Sequence, residues 1–214
     1  ALNRPTASTT PDDSITLPGY NKANLLETIE VKHRGMEENP PVPNYPMVVK
    51  SINYNEKGQR ILIKYANGVK TRYAYEPETF RLRRMWSTRN GGTEYLQDYT
   101  YCYDPVGNIS CILDHAHNTI FFNGEQVTPH AHYQYDALYQ LIEATGRESA
   151  GSYSDNCPNA HDIPIHQGFP VTDVTVRNYC QRYRYDAAGN MDLMRHLLGA
   201  NYSQDRWTRQ YTYE

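Results

Sequence analysis

Residues 183–191, YRYDAAGNM, carry the clearest structural signal in the sequence. Its two tyrosines alternate with an arginine, as in a β-strand, where successive side chains point to opposite faces. Asp186, Gly189 and Asn190 are residue types that form tight turns, and an aspartate can accept hydrogen bonds from backbone amides two residues on. Because apolar alternation resumes at Met191, we predict a β-hairpin whose turn begins at Asp186.

The same pattern recurs along the chain, which indicates a repeat architecture. The second tyrosine of each copy lies at position 20, 54, 75, 103, 135, 185 or 213, at intervals of 21 to 50 residues. Variable intervals are typical of strands joined by variable loops. The fold is therefore predicted to be all-β, with the tyrosines of neighbouring hairpins forming a ladder of cross-strand pairs worth roughly 0.2–1 kcal/mol each.

Composition and charge argue against several classes of function. The chain has 214 residues, a net charge of −3 and 20 tyrosines. This length predicts a single β domain over residues 1–214. The acidic balance argues against nucleic acid as a partner, and no apolar run is long enough to predict a membrane span. The aromatic content indicates a folded chain, because disordered segments lack aromatics.

The motifs YDPVGN, YDALYQLIEATGRE and YRYDAAGNM resemble the YD repeats of Rhs proteins, especially the B and C components of insecticidal toxin complexes. Related repeats occur in teneurins. The resemblance implies a curved antiparallel sheet, an open barrel or partial β-shell with long loops. It also implies a structural role for this chain as a wall segment that shields or presents a polypeptide.

Three features of that family are missing from the sequence: the N-terminal β-propeller region, the C-terminal core motif with self-cleaving aspartates, and the variable toxic enzyme. Ala1 in place of an initiator methionine and the final YTYE suggest an excised piece. An edge strand of a sheet has unpaired backbone N–H and C=O groups that can bind another strand. We therefore expect self-association or pairing with other YD-repeat segments.

Three segments are predicted to connect the hairpins. Residues 1–19 form a polar N-terminal segment, residues 35–46 contain four prolines, and residues 146–181 form a long loop excursion. A Cys157–Cys180 bridge would pin that excursion. Cys102 and Cys111 lie symmetrically about the turn DPVGN, so they are either a cross-strand bridge or two buried free thiols.

Four histidines surround the dipeptide Asn123-Gly124, a strong signal for a two-residue turn. A hairpin centred there pairs Ile120 with Val127 and predicts two opposed pairs, His117 with His130 and His115 with His132. This arrangement predicts a Zn or Cu site, since three histidines with an open water position form a known catalytic zinc centre. The alternative is a solvated strand face without metal.

Two further functions compete with the structural role. A free-standing carbohydrate-binding or cell-surface-binding toxin would stack exposed tyrosines, Trp86 and Trp207 on sugar rings of a cell-surface glycan. A His-metal hydrolase is the second alternative, although an enzyme is not favoured because few acidic groups adjoin the histidines. Asn108 and Asn201 fit the glycosylation acceptor pattern, which applies if the chain is secreted, as we expect.

Overall fold

The computed structural model describes residues 4–34, 46–150 and 176–213. Across these ranges the regular structure consists of β-strands and two short 3-10 turns, and all pairings between strands are antiparallel. The predicted all-β class, built from antiparallel YD-repeat hairpins, is confirmed. The described part of the chain contains no helix with the length and apolar character that crossing a membrane requires.

The chain divides into two compact units, residues 1–98 and 99–214. In the first unit, successive strands are hydrogen-bonded neighbours. The prediction of one domain over residues 1–214 stays a prediction. The strands of the first unit are β1 (Ser8–Thr9), β2 (Ile15–Tyr20), β3 (Leu26–Lys32), β4 (Met47–Tyr54), β5 (Arg60–Tyr65), β6 (Lys70–Tyr75) and β7 (Leu82–Arg89), and β8 (Glu94–Tyr103) runs into the second unit.

In the second unit, β8 pairs with β9, which pairs with β12, and the following strands add in chain order. Strands β10 and β11 form a separate two-stranded ribbon between β9 and β12 in the chain. The strands are β9 (Ile109–Asp114), β10 (Ile120–Phe122), β11 (Glu125–Val127), β12 (Ala131–Tyr135), β13 (Leu141–Ser149), β14 (Val176–Tyr185), β15 (Met191–Leu198) and β16 (Gln204–Gln210).

Each unit has its own buried residues. In the first unit, Ile52 on β4 and Ile63 on β5 are partners across the sheet and are 6% and 5% exposed. In the second unit, Val127 on β11 and Cys180 on β14 are fully buried. Strand β11 packs against β14, and the Asn178 side-chain amide donates to the Gln126 carbonyl at 2.8 Å.

Two predicted loop segments are shorter than the sequence suggested. Strand β1 and all but the last residue of β2 lie within the polar segment 1–19. The alternating pattern Ile15-Thr16-Leu17 pairs with β3, and β1 pairs with β2. The excursion predicted over 146–181 is wrong at both ends, where β13 and β14 pair up to Ser149 and Val176. The centre of that excursion and most of the proline-rich segment 35–46 lie outside the described residues.

Candidate functional site: tyrosine-latched hairpins and a histidine segment

The turns that follow the tyrosine motifs share one construction. The backbone N–H of Asp186 donates to the Asn190 carbonyl at 2.9 Å, and the N–H of Gly189 donates to the Asp186 carbonyl at 3.1 Å. The Asp186 carboxylate also accepts from the N–H groups of Ala188 and Asn190, both at 2.9 Å. The prediction that the acid closes its own turn is therefore confirmed. The same pair of backbone bonds closes the turns that begin at Asn21, Asn55, Asp104 and Asp136.

The fourth residue of each such turn has a positive φ, which explains its composition. Gly107 and Gly189 adopt φ values of 113° and 87°, which glycine reaches without a steric penalty. The turn that begins at Asp136 has Tyr139 at this position instead, with a φ of 63°. Since a tyrosine in the left-handed region costs roughly 1–2 kcal/mol, Tyr139 is a strained residue.

The second tyrosine of each motif joins its hairpin to the hairpin before it. The Tyr185 hydroxyl donates to the Leu141 carbonyl at 2.9 Å. Leu141 begins the return strand of the preceding hairpin, six residues after that hairpin's own second tyrosine, Tyr135. We call this bond the tyrosine latch. Four further latches have the same six-residue offset: Tyr54 to Leu26 at 2.6 Å, Tyr75 to Arg60 at 2.9 Å, Tyr135 to Ile109 at 3.0 Å, and Tyr213 to Met191 at 2.8 Å.

A bulge lies at the second tyrosine of six motifs. The strand register shifts between Arg184 and Tyr185, and it shifts in the same way at Tyr20, Tyr54, Tyr75, Tyr103 and Tyr135. Burial raises the pKa of Tyr185, so its hydroxyl keeps the proton that it donates. The sequence located these tyrosines but predicted a regular ladder, because neither a bulge nor a hydroxyl–carbonyl bond has a signal in strand alternation. The recurring six-residue offset is the signal that could have revealed the latch.

The histidine segment is only partly assembled as predicted. The hairpin centred on Asn123-Gly124 is confirmed, with Ile120 opposite Val127 and Phe122 opposite Glu125. The pairing of His115 with His132 is wrong.

His132 lies opposite Cys111 instead, because β12 leaves the hairpin register and pairs with β9. The physical reason is that the β12 strand must align with the Cys102–Cys111 hairpin to join the large sheet.

The four histidines consequently make different contacts. The rings of His115 and His130 are 6.3 Å apart between centroids, in an edge-to-face arrangement. His117 Nδ1 lies 2.8 Å from the Asp114 carboxylate. Burial, followed by the charges of His115 and His132, lowers the pKa of His130.

The structure does not gather these four side chains into one metal-binding group. In the ranges that it describes, three or more histidine, cysteine or acidic side chains do not converge on a common point. Zn or Cu binding by His115, His117, His130 and His132 stays a prediction. Metal analysis of the purified chain, before and after a chelator, tests it.

Of the two alternatives for Cys102 and Cys111, the structure has the cross-strand disulfide. Cys102 and Cys111 are cross-strand partners with Cα atoms 4.9 Å apart, and they form a disulfide. Cys180 is a buried free thiol whose pKa is raised, first by burial. Its predicted partner Cys157 lies outside the described residues.

The remaining candidates occupy different environments. The Asn108 side chain donates to the Asp104 carboxylate at 2.8 Å within its turn, whereas Asn201 is exposed in a 3-10 turn. Trp207 stacks on His196, with ring centroids 5.0 Å apart, and the Arg84 guanidinium lies 4.8 Å from the Trp86 ring. Glycosylation and glycan binding at these residues stay predictions.

The chain matches known toxin subunits over most of its length, although no family model matches it. It is 36% identical over 186 residues to toxin subunit YenC1 of Yersinia entomophaga, covering 85% of this chain and 18% of that subunit. For toxin subunit YenC2 of the same organism the identity is 39% over 160 residues, covering 72% and 16%. The chain thus spans less than a fifth of the length of these curated relatives.

A solved structure shares the fold. The crystal structure of TcdB2-TccC3-Cdc42 matches 95% of this chain and 9% of that chain, with a TM-score of 0.68 and 32% identity. A structure of TcdB2-TccC3 without the hypervariable C-terminal region matches equally well, with a TM-score of 0.68 and 33% identity over 95% of this chain and 9% of that one.

Proposed function

We propose that this chain, which belongs to the YD-repeat (Rhs) family as toxin-complex subunits do, is one segment of a toxin-complex wall. The wall shields or presents another polypeptide. The chain contributes surface and shape to this wall, and the chemistry of the toxin belongs to other segments.

The tyrosine latch is the observation that carries this proposal. Each latch bonds the second tyrosine of one hairpin to the first residue of the return strand in the hairpin before it. Adding one more hairpin therefore extends the sheet in a fixed register. Such a sheet grows by repetition and does not require a central pocket, which suits a wall longer than this chain.

Other YD-repeat segments are the proposed partners. Among the described strands, β16 pairs with β15 alone, and β1 pairs with β2 alone. Unpaired N–H and C=O groups at such edges accept a further strand. We expect sedimentation at high concentration to show self-association, and a compact monomer throughout would contradict this part of the proposal.

Secretion is part of the same proposal. Two relatives are named as toxin subunits, and toxins act outside the cell that makes them. The Cys102–Cys111 disulfide supports an oxidising destination, because such bonds persist mainly in extracellular or periplasmic compartments.

A segment exchange tests the wall assignment. The 186 residues of YenC1 that align with this chain are replaced by the corresponding residues of this chain. We expect the chimera to be as resistant to limited proteolysis as the parent subunit, since the latches impose the same hairpin stacking. A control chimera carries alanine at the five latch tyrosines, Tyr54, Tyr75, Tyr135, Tyr185 and Tyr213. If the first chimera is digested as readily as the control, the assignment is wrong.

A further inference from the structure

His196 lies at the centre of a polar cluster that spans four strands of the second unit. Its side chain is on β15 and the residue is 4% exposed. Tyr179 on β14 stacks at 5.3 Å between ring centroids, and Trp207 on β16 stacks at 5.0 Å with the rings only 7° from parallel. Because β14 and β16 flank β15 on opposite sides, the imidazole is enclosed between two aromatic rings.

The edge of the imidazole joins a buried ion pair. His196 Nε2 lies 3.0 Å from Glu148 Oε2, and the Glu148 side chain is 11% exposed. Arg177 donates from Nε to the other carboxylate oxygen of Glu148 at 2.9 Å. The Glu148 carboxylate is therefore shared between an arginine and a histidine, as a buried charge requires.

A chain of hydrogen bonds fixes where the proton of His196 sits. The Tyr183 hydroxyl donates to Gln181 Oε1 at 2.6 Å, so the amide nitrogen of Gln181 faces the imidazole. Gln181 Nε2 lies 3.3 Å from His196 Nδ1, which must then accept. The imidazole is neutral in this arrangement, with its single proton on Nε2 donated to Glu148.

We propose that the cluster of Tyr183, Gln181, His196 and Glu148 is an acid-responsive clasp across β13, β14 and β15. A second proton on His196 Nδ1 would place two donors against each other, because Gln181 Nε2 also donates. To relieve that contact, Gln181 must turn its amide, and the Tyr183 hydroxyl then loses its acceptor. Protonation of His196 on β15 thus rearranges two side chains, Gln181 and Tyr183, on the neighbouring strand β14.

The charged and titratable groups around His196 keep their own charge state near neutral pH. Arg177 on β14 and Arg209, which lies 4.6 Å from the Trp207 ring, remain cationic throughout. Burial raises the pKa of Glu148, but hydrogen bonds from His196 and Arg177 outweigh it and hold the pKa below 4.5. Burial raises the pKa of Tyr183 to about 12.

Trp207 provides the readout, because a protonated imidazole quenches the fluorescence of a stacked indole. Trp86 is the other tryptophan of the chain, and Trp86→Phe isolates the Trp207 signal. We expect this variant to lose fluorescence along a one-proton curve between about pH 8 and pH 5, the range in which histidines titrate. The added substitution His196→Gln should abolish the curve. The clasp is refuted if Trp207 fluorescence is constant over this range, or if His196→Gln leaves the curve intact.

Tyr183→Phe separates the clasp from simple burial of a histidine. Without the hydroxyl, Gln181 is free to present its oxygen to a protonated Nδ1. The fluorescence midpoint should therefore move upward by about 0.5–1 pH unit, the equivalent of one hydrogen bond. An unchanged or lowered midpoint, in a variant with the circular dichroism of the parent, would overturn the proposed coupling. This variant retains His196, so it tests the proposal even if His196→Gln does not fold.

Discussion

Two hairpins of the second unit follow equally clear turn signals but end in different places. The β12–β13 hairpin turns through Asp136–Gln140, and both of its strands join the large sheet. The β10–β11 hairpin turns at Asn123-Gly124, keeps three residue pairs and remains a separate ribbon. The first carries a tyrosine latch on each side, and the second has no YD motif. A turn signal therefore determines local pairing, whereas the latch determines whether a hairpin joins the large sheet.

Among the substitutions that test this comparison, removing a latch should change the free energy of unfolding most. Tyr185→Ala removes both a half-buried ring and the hydrogen bond to Leu141. We expect the free energy of unfolding to fall by about 2–3 kcal/mol in urea titrations followed by circular dichroism.

The matched control for this variant is Phe121→Ala in the unlatched hairpin. Phe121 is 76% exposed, so its truncation should cost less than about 0.5 kcal/mol. Equal losses in the two variants would remove the distinction between latched and unlatched hairpins.

Relieving backbone strain in a latched turn should raise the free energy of unfolding, by less than the loss of a latch lowers it. Tyr139 has a φ of 63° and is 59% exposed, so Tyr139→Gly removes a steric cost and little packing. The free energy of unfolding should rise by about 1 kcal/mol. Leu138→Gly in the same turn is the control and should lower it, because Leu138 is not among the positive-φ residues. A decrease in both variants would show that Tyr139 is not strained.

Substituting the turn residue Asp186 should change stability least, and the change should be visible only at low pH. Hydrogen bonds, first from the Asn190 side chain, hold the pKa of Asp186 below 3.8. Its contribution to stability is therefore present above the unfolded pKa and is lost as pH falls through the folded pKa. Asp186→Asn should flatten this acid dependence, since Asn55 closes an equivalent turn without a charge. Unfolding curves of both proteins at several acidic pH values check this, and identical pH profiles would contradict it.

The sequence predicted what depends on neighbours along the chain. The turn closed by Asp186 and the cross-strand position of Cys102 and Cys111 both follow from local spacing, and the structure confirms both. The pairing of His115 with His132 failed because it extended a local register past the point where β12 changes partner.

Contacts between strands that are distant in the chain leave no such local pattern in the sequence. Glu148, His196 and Trp207 come from three strands and meet only when hairpins stack in one register. The latch sets that register, and it depends on a bulge that alternation cannot reveal.

Residue-resolved amide exchange of Tyr185→Phe tests the latch most directly, because this variant deletes one hydroxyl and keeps the ring. Losing the bond to Leu141 should speed exchange about fivefold at the turn amides of Leu138, Tyr139 and Gln140, the equivalent of about 1 kcal/mol. Exchange at Phe122 and Glu125 in the unlatched hairpin should stay at the parent rate. Unchanged rates in the turn, or equal acceleration in both hairpins, would contradict the claim that the tyrosine hydroxyl holds one hairpin to the next.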